Sequence, residues 1–379
     1  MNSMQHTFIV FGAEHYNPLG VIRSLGEAGI KSVAIIIREK YCLTSKSKYL
    51  ENVYYVENHK QGLQILLENY KSTGNKAFLY ACDDTTESFF DANYDILIND
   101  FYFFNAGKQG RITEYMNKKN IGDLALKYGL RFLHSKIVKK GEFLPDIEYP
   151  VITKAVDSTA ANWKKNMFIC YNEGDLEEAY KHISSNYIMI QKYIVKENEY
   201  CLEGFSCNKG KDVFISIEST YNYKLPLSYS PYMTVNNFSN RDNVLAPLKK
   251  MFAEIGFEGI FEVEFLISDT GTLYFGEINF RNSTWSYAST CAGMNLPLLW
   301  AKSMLAGHQV KNCYVEIPKP GFKAMVELTD FKERVLKQGY SPLKWLRELK
   351  ACKCRYYLGR NDIKPFVVMA LSRLFKGSF

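Results

Sequence analysis

Residues 261–281 constrain the chain more than any other stretch. Phe261-Glu262-Val263-Glu264-Phe265 and Tyr274-Phe275-Gly276-Glu277-Ile278-Asn279-Phe280-Arg281 are apolar runs broken at alternate places by acidic, amide or guanidinium side chains. Ser268-Asp269-Thr270-Gly271 lies between the segments Gly259 to Ile267 and Thr272 to Asn279. Period-two alternation marks strands, and an Asp-Thr-Gly turn between two strands makes a hairpin. Side chains alternate along a strand, so Glu277, Asn279 and Arg281 share one face while Ile278 and Phe280 take the other. Glu264, on the partner strand, can face Glu277. A solvated edge hairpin would not call for Asn and Arg in this order inside so apolar a run.

The first third of the chain has a different grammar. Thr7 to Phe11 is a short apolar run that stops at Gly12, and a loop with Asn17 and Pro18 follows. An amphipathic stretch from Leu19 to Ala28, closed by Gly29, leads to the β-branched run Ser32 to Ile37. Strand, glycine turn, helix and strand form the βαβ signature of a parallel sheet. A helix near Lys60 to Tyr70, a strand at Ala77 to Ala81 and the turn Cys82-Asp83-Asp84-Thr85-Thr86 continue it, so residues 1 to about 105 read as a small open α/β domain. Asp83, Asp84, Thr86 and Glu87 follow a strand's carboxyl end, where open α/β sheets place ligands. They could bind a substrate amine, or Asp84 or Thr85 could simply cap a helix. Phe11-Gly12-Ala13 with Gly20 makes no GxGxxG fingerprint, which argues against a nicotinamide-dependent oxidoreductase.

A helix from Glu114 to Tyr128 ends at Gly129. Beyond it Tyr149 to Val156, Phe168 to Tyr171, Ile188 to Ile194, Cys201 to Cys207 and Val213 to Glu218 read as short antiparallel strands, an α+β arrangement, and a helix follows from about Leu296 to Leu305. The tail from Ser341 carries Leu343, Trp345, Leu346 and Leu349, then Phe366, Val367, Met369, Leu371 and Leu374, among basic residues at helical spacing. A pair of amphipathic helices packed on the body is the first reading, and a weak membrane-surface contact is the second.

Composition sets the outer limits. A chain of 379 residues suits two or three packed subdomains, and 47% hydrophobic with 23% charged residues is the balance of a soluble protein. The net charge of +7 favours acidic small ligands, while the absence of a dense basic stripe argues against nucleic acid. Nine cysteines without a CxxC pair, no secretory start and no apolar run of about 20 residues point to a reduced, cytoplasmic protein. Six scattered histidines lack zinc-ligand spacing, and nothing in the sequence speaks to the oligomeric state.

Two carboxylates and an amide oxygen on one sheet face form a hard donor set for Mg²⁺ held also by phosphate. Arg281 beside them could hold a carboxylate or a transferred phosphoryl group by two hydrogen bonds. At these residues the sequence resembles the ATP-grasp superfamily, whose last strands read carboxylate, then Glu-x-Asn-x-Arg. Glu264, Glu277, Asn279 and Arg281 match all four places. The family's early phosphate-binding lysine precedes a helix that ends in Gly. Met116-Asn117-Lys118-Lys119 is similar to that element, with spacing that favours Lys118 over Lys119 and Asn where the family often has Asp. Tyr149-Pro150-Val151-Ile152-Thr153-Lys154 resembles the strand carrying the second lysine, Lys154. Gln191-Lys192-Tyr193-Ile194 is similar to the linker whose backbone binds adenine, with Gln in place of Glu, and Glu199 then stands where ribose hydroxyls are held, with Glu203 as its substitute. Where many relatives carry a glycine-rich phosphate loop, Asp157-Ser158-Thr159-Ala160-Ala161-Asn162-Trp163-Lys164-Lys165 has none, and Lys164 or Lys165 could reach the γ-phosphate or stay solvated.

The resemblance spans roughly Lys118 to Pro297 and implies a Rossmann-like domain over residues 1–110, an ATP-grasp domain of two α+β subdomains over 111–310 with its lid near 150–200, and a basic helical extension over 311–379. Arg281-Asn282-Ser283 and Ala292-Gly293-Met294-Asn295-Leu296-Pro297 are similar to the carboxylate–amine ligases related to D-aspartate ligase. That branch implies ATP, two Mg²⁺ ions or Mn²⁺ in their place, and a small carboxylate and an amine joined through an acyl phosphate. Lys118 and Lys154 would meet phosphate, Glu264, Glu277 and Asn279 the metal, and Arg281 with Lys154 the reacting groups. The alternatives are an ATP-grasp carboxylase or kinase, and a nucleotide-binding regulator without turnover.

Overall fold

Runs that are apolar at every position need cover on both faces, and the first domain supplies it. The computed structural model describes residues 6–38, 43–133, 135–144, 147–156, 166–225 and 229–376. Strands β1 (Phe8–Ala13), β2 (Ser32–Ile37), β3 (Leu50–Val56), β4 (Ala77–Ala81) and β5 (Phe101–Tyr102) form an all-parallel sheet in the order β3-β2-β1-β4-β5. Helices Tyr16–Glu27, His59–Asn69 and Asp84–Ala92 make the crossovers. The strand order reverses between β1 and β4, and the crevice at their carboxyl ends is the switch point where such sheets place ligands. Gly12 is needed there. A Cβ on it would lie 2.9 Å from Asp83 Oδ2 and 3.1 Å from Cys82 Cβ.

An antiparallel sheet and a larger, mostly antiparallel one follow, as the short strands of the middle segment predict. Strands β6 (Ser135–Lys139), β7 (Val151–Ala155), β8 (Ile169–Cys170) and β9 (Tyr187–Lys192) pair as β6-β9-β7-β8. With helix Glu173–His182 they enclose a small core of their own, which includes Val138, Val151, Leu176 and Ile188. Strands β10 (Lys196–Cys207), β11 (Asp212–Tyr221), β12 (Tyr232–Asn236), β13 (Gly259–Ser268), β14 (Leu273–Asn279), β15 (Phe322–Met325) and β16 (Cys354–Arg355) form the larger sheet in the order β14-β13-β10-β11-β12-β15-β16. Its hairpin turns where the sequence places it. Gly271 sits at φ +77°, a left-handed conformation that costs glycine little, and donates to Ser268 O at 2.9 Å.

The helix expected over Glu114 to Tyr128 is two helices, Arg111–Met116 and Lys118–Lys127. Asn117 breaks them with an extended ψ of 120°, and its side chain accepts from the backbone N–H groups of Lys119 and Asn120. An N-cap side chain that satisfies two free donors favours a fresh start over a continuous helix, and it sets Lys118 at the first helical position.

The C-terminal residues hold the expected helices, Pro342–Ala351 and Lys364–Lys376, and also add β15 and β16 to the large sheet. Trp345 and Met369 are buried, while Leu343, Leu346, Val367 and Leu371 face solvent. Among the described residues no helix is long and apolar enough to cross a membrane, and the eight described cysteines are all free thiols.

A buried charge fastens this segment to the first domain. Arg23, on the first helix and fully buried, donates from Nε to Asp362 Oδ2 at 3.0 Å, from Nη1 to Tyr356 O at 2.8 Å and from Nη2 to Tyr357 O and Asp362 O, both at 2.8 Å. Asp362 also accepts from Ser47 Oγ at 2.8 Å and Lys48 N at 3.0 Å. Without the Asp362 carboxylate the buried guanidinium would keep its carbonyl partners but lose its counter-charge. Asp362→Ala is therefore expected to cost about 3–5 kcal/mol, read as a lower melting temperature and denaturant midpoint. A loss below about 1 kcal/mol would show that the clasp does not anchor the segment.

Candidate active site

The hairpin register brings the four motif residues together. Glu264 pairs with Glu277 and Glu262 with Asn279 across β13 and β14. Asn279 Nδ2 donates to Glu264 Oε1 at 2.8 Å and to Glu262 Oε2 at 3.0 Å, and its Oδ1 accepts from Arg281 Nη2 at 3.3 Å. Lys118 Nζ, from the start of its helix, reaches Glu277 Oε2 at 2.6 Å. Ile278 and Phe280 are buried on the opposite face, as alternation requires.

Burial and mutual repulsion set the charges. Desolvation, then Glu277 and Glu199, push the Glu264 carboxyl up to about 8, whereas Lys118 holds Glu277 below the usual carboxylate range. Lys118 stays protonated despite burial because Glu277 faces it, and Asp84 does the same for Arg281. Burial, with the Lys118 charge nearby, lowers Lys154 to about 8. Among the described residues no three His, Cys, Asp or Glu side chains form a ready metal cage. Glu264, Glu277 and Asn279 fit a divalent cation only as part of a sphere that phosphate oxygens complete. The raised Glu264 carboxyl fits that use, since a cation there would stabilise its ionised form.

Behind the lysines a small cleft opens, lined by Phe132, Leu133, Met189, Leu266 and Phe275, with Lys118, Lys154 and Gln191 as its polar groups. Lys154, on β7, donates to Gln191 Oε1 at 2.7 Å, and Gln191 Nε2 donates to Leu133 O at 3.3 Å. An apolar slot with two ammonium groups at one end suits a flat ring that carries anionic groups. Lys192 Nζ turns away to Glu148 and Tyr149, with its nearest contact the Glu148 carbonyl at 3.3 Å. Tyr193 N donates to Pro150 O at 2.9 Å, and Tyr193 and Ile194 lead from β9 into β10. Glu199, on β10, accepts from Lys196 and acts on the charges of Lys154 and Glu264, which places it at the same cleft.

Several expectations change. Glu203 is fully buried and accepts from Ser283 Oγ at 2.6 Å and Ser286 Oγ at 2.7 Å, so it tethers the segment after Arg281 and is no substitute for Glu199. The cap of helix Asp84–Ala92 is Asp83 rather than Asp84 or Thr85. Asp83 accepts from Thr86 N at 2.7 Å, Thr86 Oγ at 2.9 Å and Ala13 N at 2.8 Å. Asp84 is released from that duty and accepts from Arg281 Nε at 2.7 Å. The segment with Lys164 and Lys165 lies outside the described residues. Sequence reasoning passed over Glu262, although its place two residues before Glu264 puts it on the same face. The apolar wall of the cleft carried no comparable signal, because its residues come from four separate segments.

No family model matches the chain. Solved structures resemble it over most of its length. An L-amino acid ligase from Bacillus licheniformis aligns at TM-score 0.60 and 14% identity, over 80% of this chain and 75% of that one. N5-carboxyaminoimidazole synthetase from Staphylococcus aureus, complexed with ADP, aligns at TM-score 0.66 and 15% identity, over 89% and 87%. Biotin carboxylase from Campylobacter jejuni, in its β-γ-ATP complex, aligns at TM-score 0.64 and 15% identity, over 83% and 74%. At such identities the likeness speaks for architecture, and with the parallel sheet, the four-stranded antiparallel sheet, the larger mixed sheet and the hairpin register it gives the chain the ATP-grasp fold.

Proposed function

We propose that the protein is an ATP-dependent ligase that activates a small carboxylate as an acyl phosphate and joins it to an amine, with release of ADP and phosphate. One observation carries the reading. Asn279 binds Glu264 and Arg281, and Glu277, paired with Glu264 across the hairpin, takes Lys118, which lines the adjoining cleft. The ligase and synthetase among the structural neighbours support it.

In this reading adenine lies in the apolar slot beside Gln191 and the Lys192-Tyr193-Ile194 link, and Glu199 takes the ribose hydroxyls. Lys118 and Lys154 neutralise phosphate as compact charges, with Lys154 and Arg281 nearest the reacting groups. Glu264, Glu277 and Asn279 would hold Mg²⁺, which lowers the cost of charge gathering on the transferred phosphoryl group. Two ions, or Mn²⁺ in their place, suit the same oxygen set. Asn279 turns its amide nitrogen to Glu262 and Glu264, so it must rotate to offer its oxygen. Arg281 presents a guanidinium to the donor carboxylate and keeps it in line for transfer. The protein's contribution is positioning and electrostatics rather than covalent chemistry.

An amino acid or a cell-envelope precursor is the first substrate class to try, by the likeness to D-aspartate ligase around Arg281-Asn282-Ser283. Asn282 and Ser283 are buried and bind Asn17 and Glu203, so here they shape the segment that presents Arg281.

ADP release with Mg·ATP and a panel of carboxylate–amine pairs is the direct test. One pair is expected to stimulate it, and Glu277→Gln to lower that rate by about 100-fold or more. Stimulation by bicarbonate without an amine would favour a carboxylase instead.

Proton linkage gives a second test. Lys154 titrates near 8 in the free protein, so it loses its charge as pH rises from 7 to 9. Bound phosphate favours the charged form, whereas Glu264, also near 8, sheds its proton over the same range and favours the metal. The Lys154 contribution is therefore read as the ratio of Mg·ATP affinities between the unaltered protein and Lys154→Met, which is expected to fall about tenfold from pH 7 to 9. A ratio that stays constant over that range, measured by titration calorimetry, would remove Lys154 from the phosphate site.

A further inference from the structure

The crevice between β1 and β4 holds charged groups that nucleotide chemistry leaves unused. Asp83 is committed to its cap and to Ala13 N. Asp84 has Arg281 as the partner of both oxygens, with Nε to Oδ1 at 2.7 Å and Nη2 to Oδ2 at 3.5 Å. Neither side chain is sealed in, with 27% of Asp84 and 14% of Arg281 exposed. Glu87, one turn along the same helix, is fully buried with no hydrogen-bond partner for either oxygen, beside Asp84 and Arg281.

Asp83 and Lys118 bear on this pair as charges, while two of its other neighbours are neutral. Burial pushes the Glu87 carboxyl well up, so it carries its proton at neutral pH. Burial and the Arg281 charge lower His15 to about 4, so it is neutral, and its Nδ1 accepts from Asn17 N. Asp84 is thus the carboxylate that balances Arg281 on the crevice side. Arg281 also touches Asn279, so the same guanidinium faces the transfer centre. A donor carboxylate that binds Arg281 must compete with Asp84 for it.

We propose that Asp84 recognises the acceptor: it neutralises Arg281 until a donor carboxylate takes the guanidinium, then holds the acceptor's ammonium beside the acyl group and takes one of its protons, so that the neutral amine attacks the acyl carbon and phosphate leaves. The acceptor is therefore a primary amine that binds as a cation, with the α-ammonium of an amino acid as a simple form. This rests on the ligase reading. An anionic co-substrate such as bicarbonate would be repelled by Asp83 and Asp84, whereas neutral His15 offers an ammonium no opposition.

Asp84→Asn keeps the shape and removes the charge, and Asp84→Ser repeats the test with a shorter side chain. Donor KM is read by hydroxamate formation with hydroxylamine as nucleophile and each common amino acid as donor. Acceptor KM is read by ADP release with the best donor and L-alanine, L-lysine or ethanolamine. The two constants are expected to cross in both variants. Donor KM falls about threefold or more, because its competitor for Arg281 is gone. Acceptor KM rises about 10- to 100-fold, the range for losing a hydrogen bond to a charged group. A rise in both constants, or an unchanged acceptor KM, overturns the assignment while leaving the ligase intact. If the unaltered protein forms neither hydroxamate nor amide with any pair, the ligase reading fails and takes this inference with it.

Discussion

Two carboxylates facing each other across an antiparallel pair repel, and the Glu264–Glu277 register forces that repulsion on the hairpin. The site is arranged around relieving it. Lys118 takes Glu277, the Asn279 amide bridges Glu262 and Glu264, and burial favours a proton on Glu264. None of these measures removes the pressure, since an ammonium at one edge and an amide dipole are weaker than a divalent charge between the carboxylates. A site held in this state is disposed to accept a cation together with anionic phosphates, because each offsets a charge that the protein alone leaves poorly balanced.

Such a centre works only if its parts, drawn from distant segments, keep their places. Asn282 and Asn17 bind each other between the segment after Arg281 and the first helix, and Asn17 Nδ2 also donates to Cys82 O and Asn282 O, both at 2.7 Å. Arg23, two turns along that helix, clasps Tyr356, Tyr357 and Asp362. The first helix is therefore tied at one end to the reacting segment and at its middle to the C-terminal residues. Tyr16 packs on Tyr356 and Tyr357 with ring centroids 5.4 and 5.3 Å apart, which extends the same seam. The sheet that carries Lys154 has a small core separate from the main one.

The sequence shows what repeats at short range. Alternation along 261–281 gives the face, the partner strand and the turn, and the β-branched runs at 32–37 and 77–81 coincide with strands β2 and β4. Strand β3 escaped because Leu50–Val56 is half exposed along an edge and lacks a clean period. The break at Asn117 was hidden because its neighbours on both sides favour helix, and only the cap geometry separates them. Asp84 was visible as a residue after a strand, but its partner lies 197 positions away, and no local pattern links them. Long-range ion pairs of this kind are set by topology, which brings the end of β4 to the end of β14.

The arrangement of neutral and charged groups follows one rule. Carboxyls sealed from water with no cation bonded to them, Glu87 and Glu262, are driven by burial toward the protonated form although Arg281 lies near both. Those that meet a cation, Glu277 at Lys118 and Asp84 at Arg281, hold a counter-charge that a ligand can take over. The exchangeable charges therefore stand on the two sides of Asn279, one pair toward the phosphates and one toward the crevice. In the proposed ligation a carboxylate entering at Arg281 and a triphosphate entering at Lys118 would each displace an internal anion and free it to attract a cation, a metal at Glu277 and an ammonium at Asp84. On that reading the same electrostatic exchange would serve both halves, and one hairpin face and one helix start would suffice to assemble it.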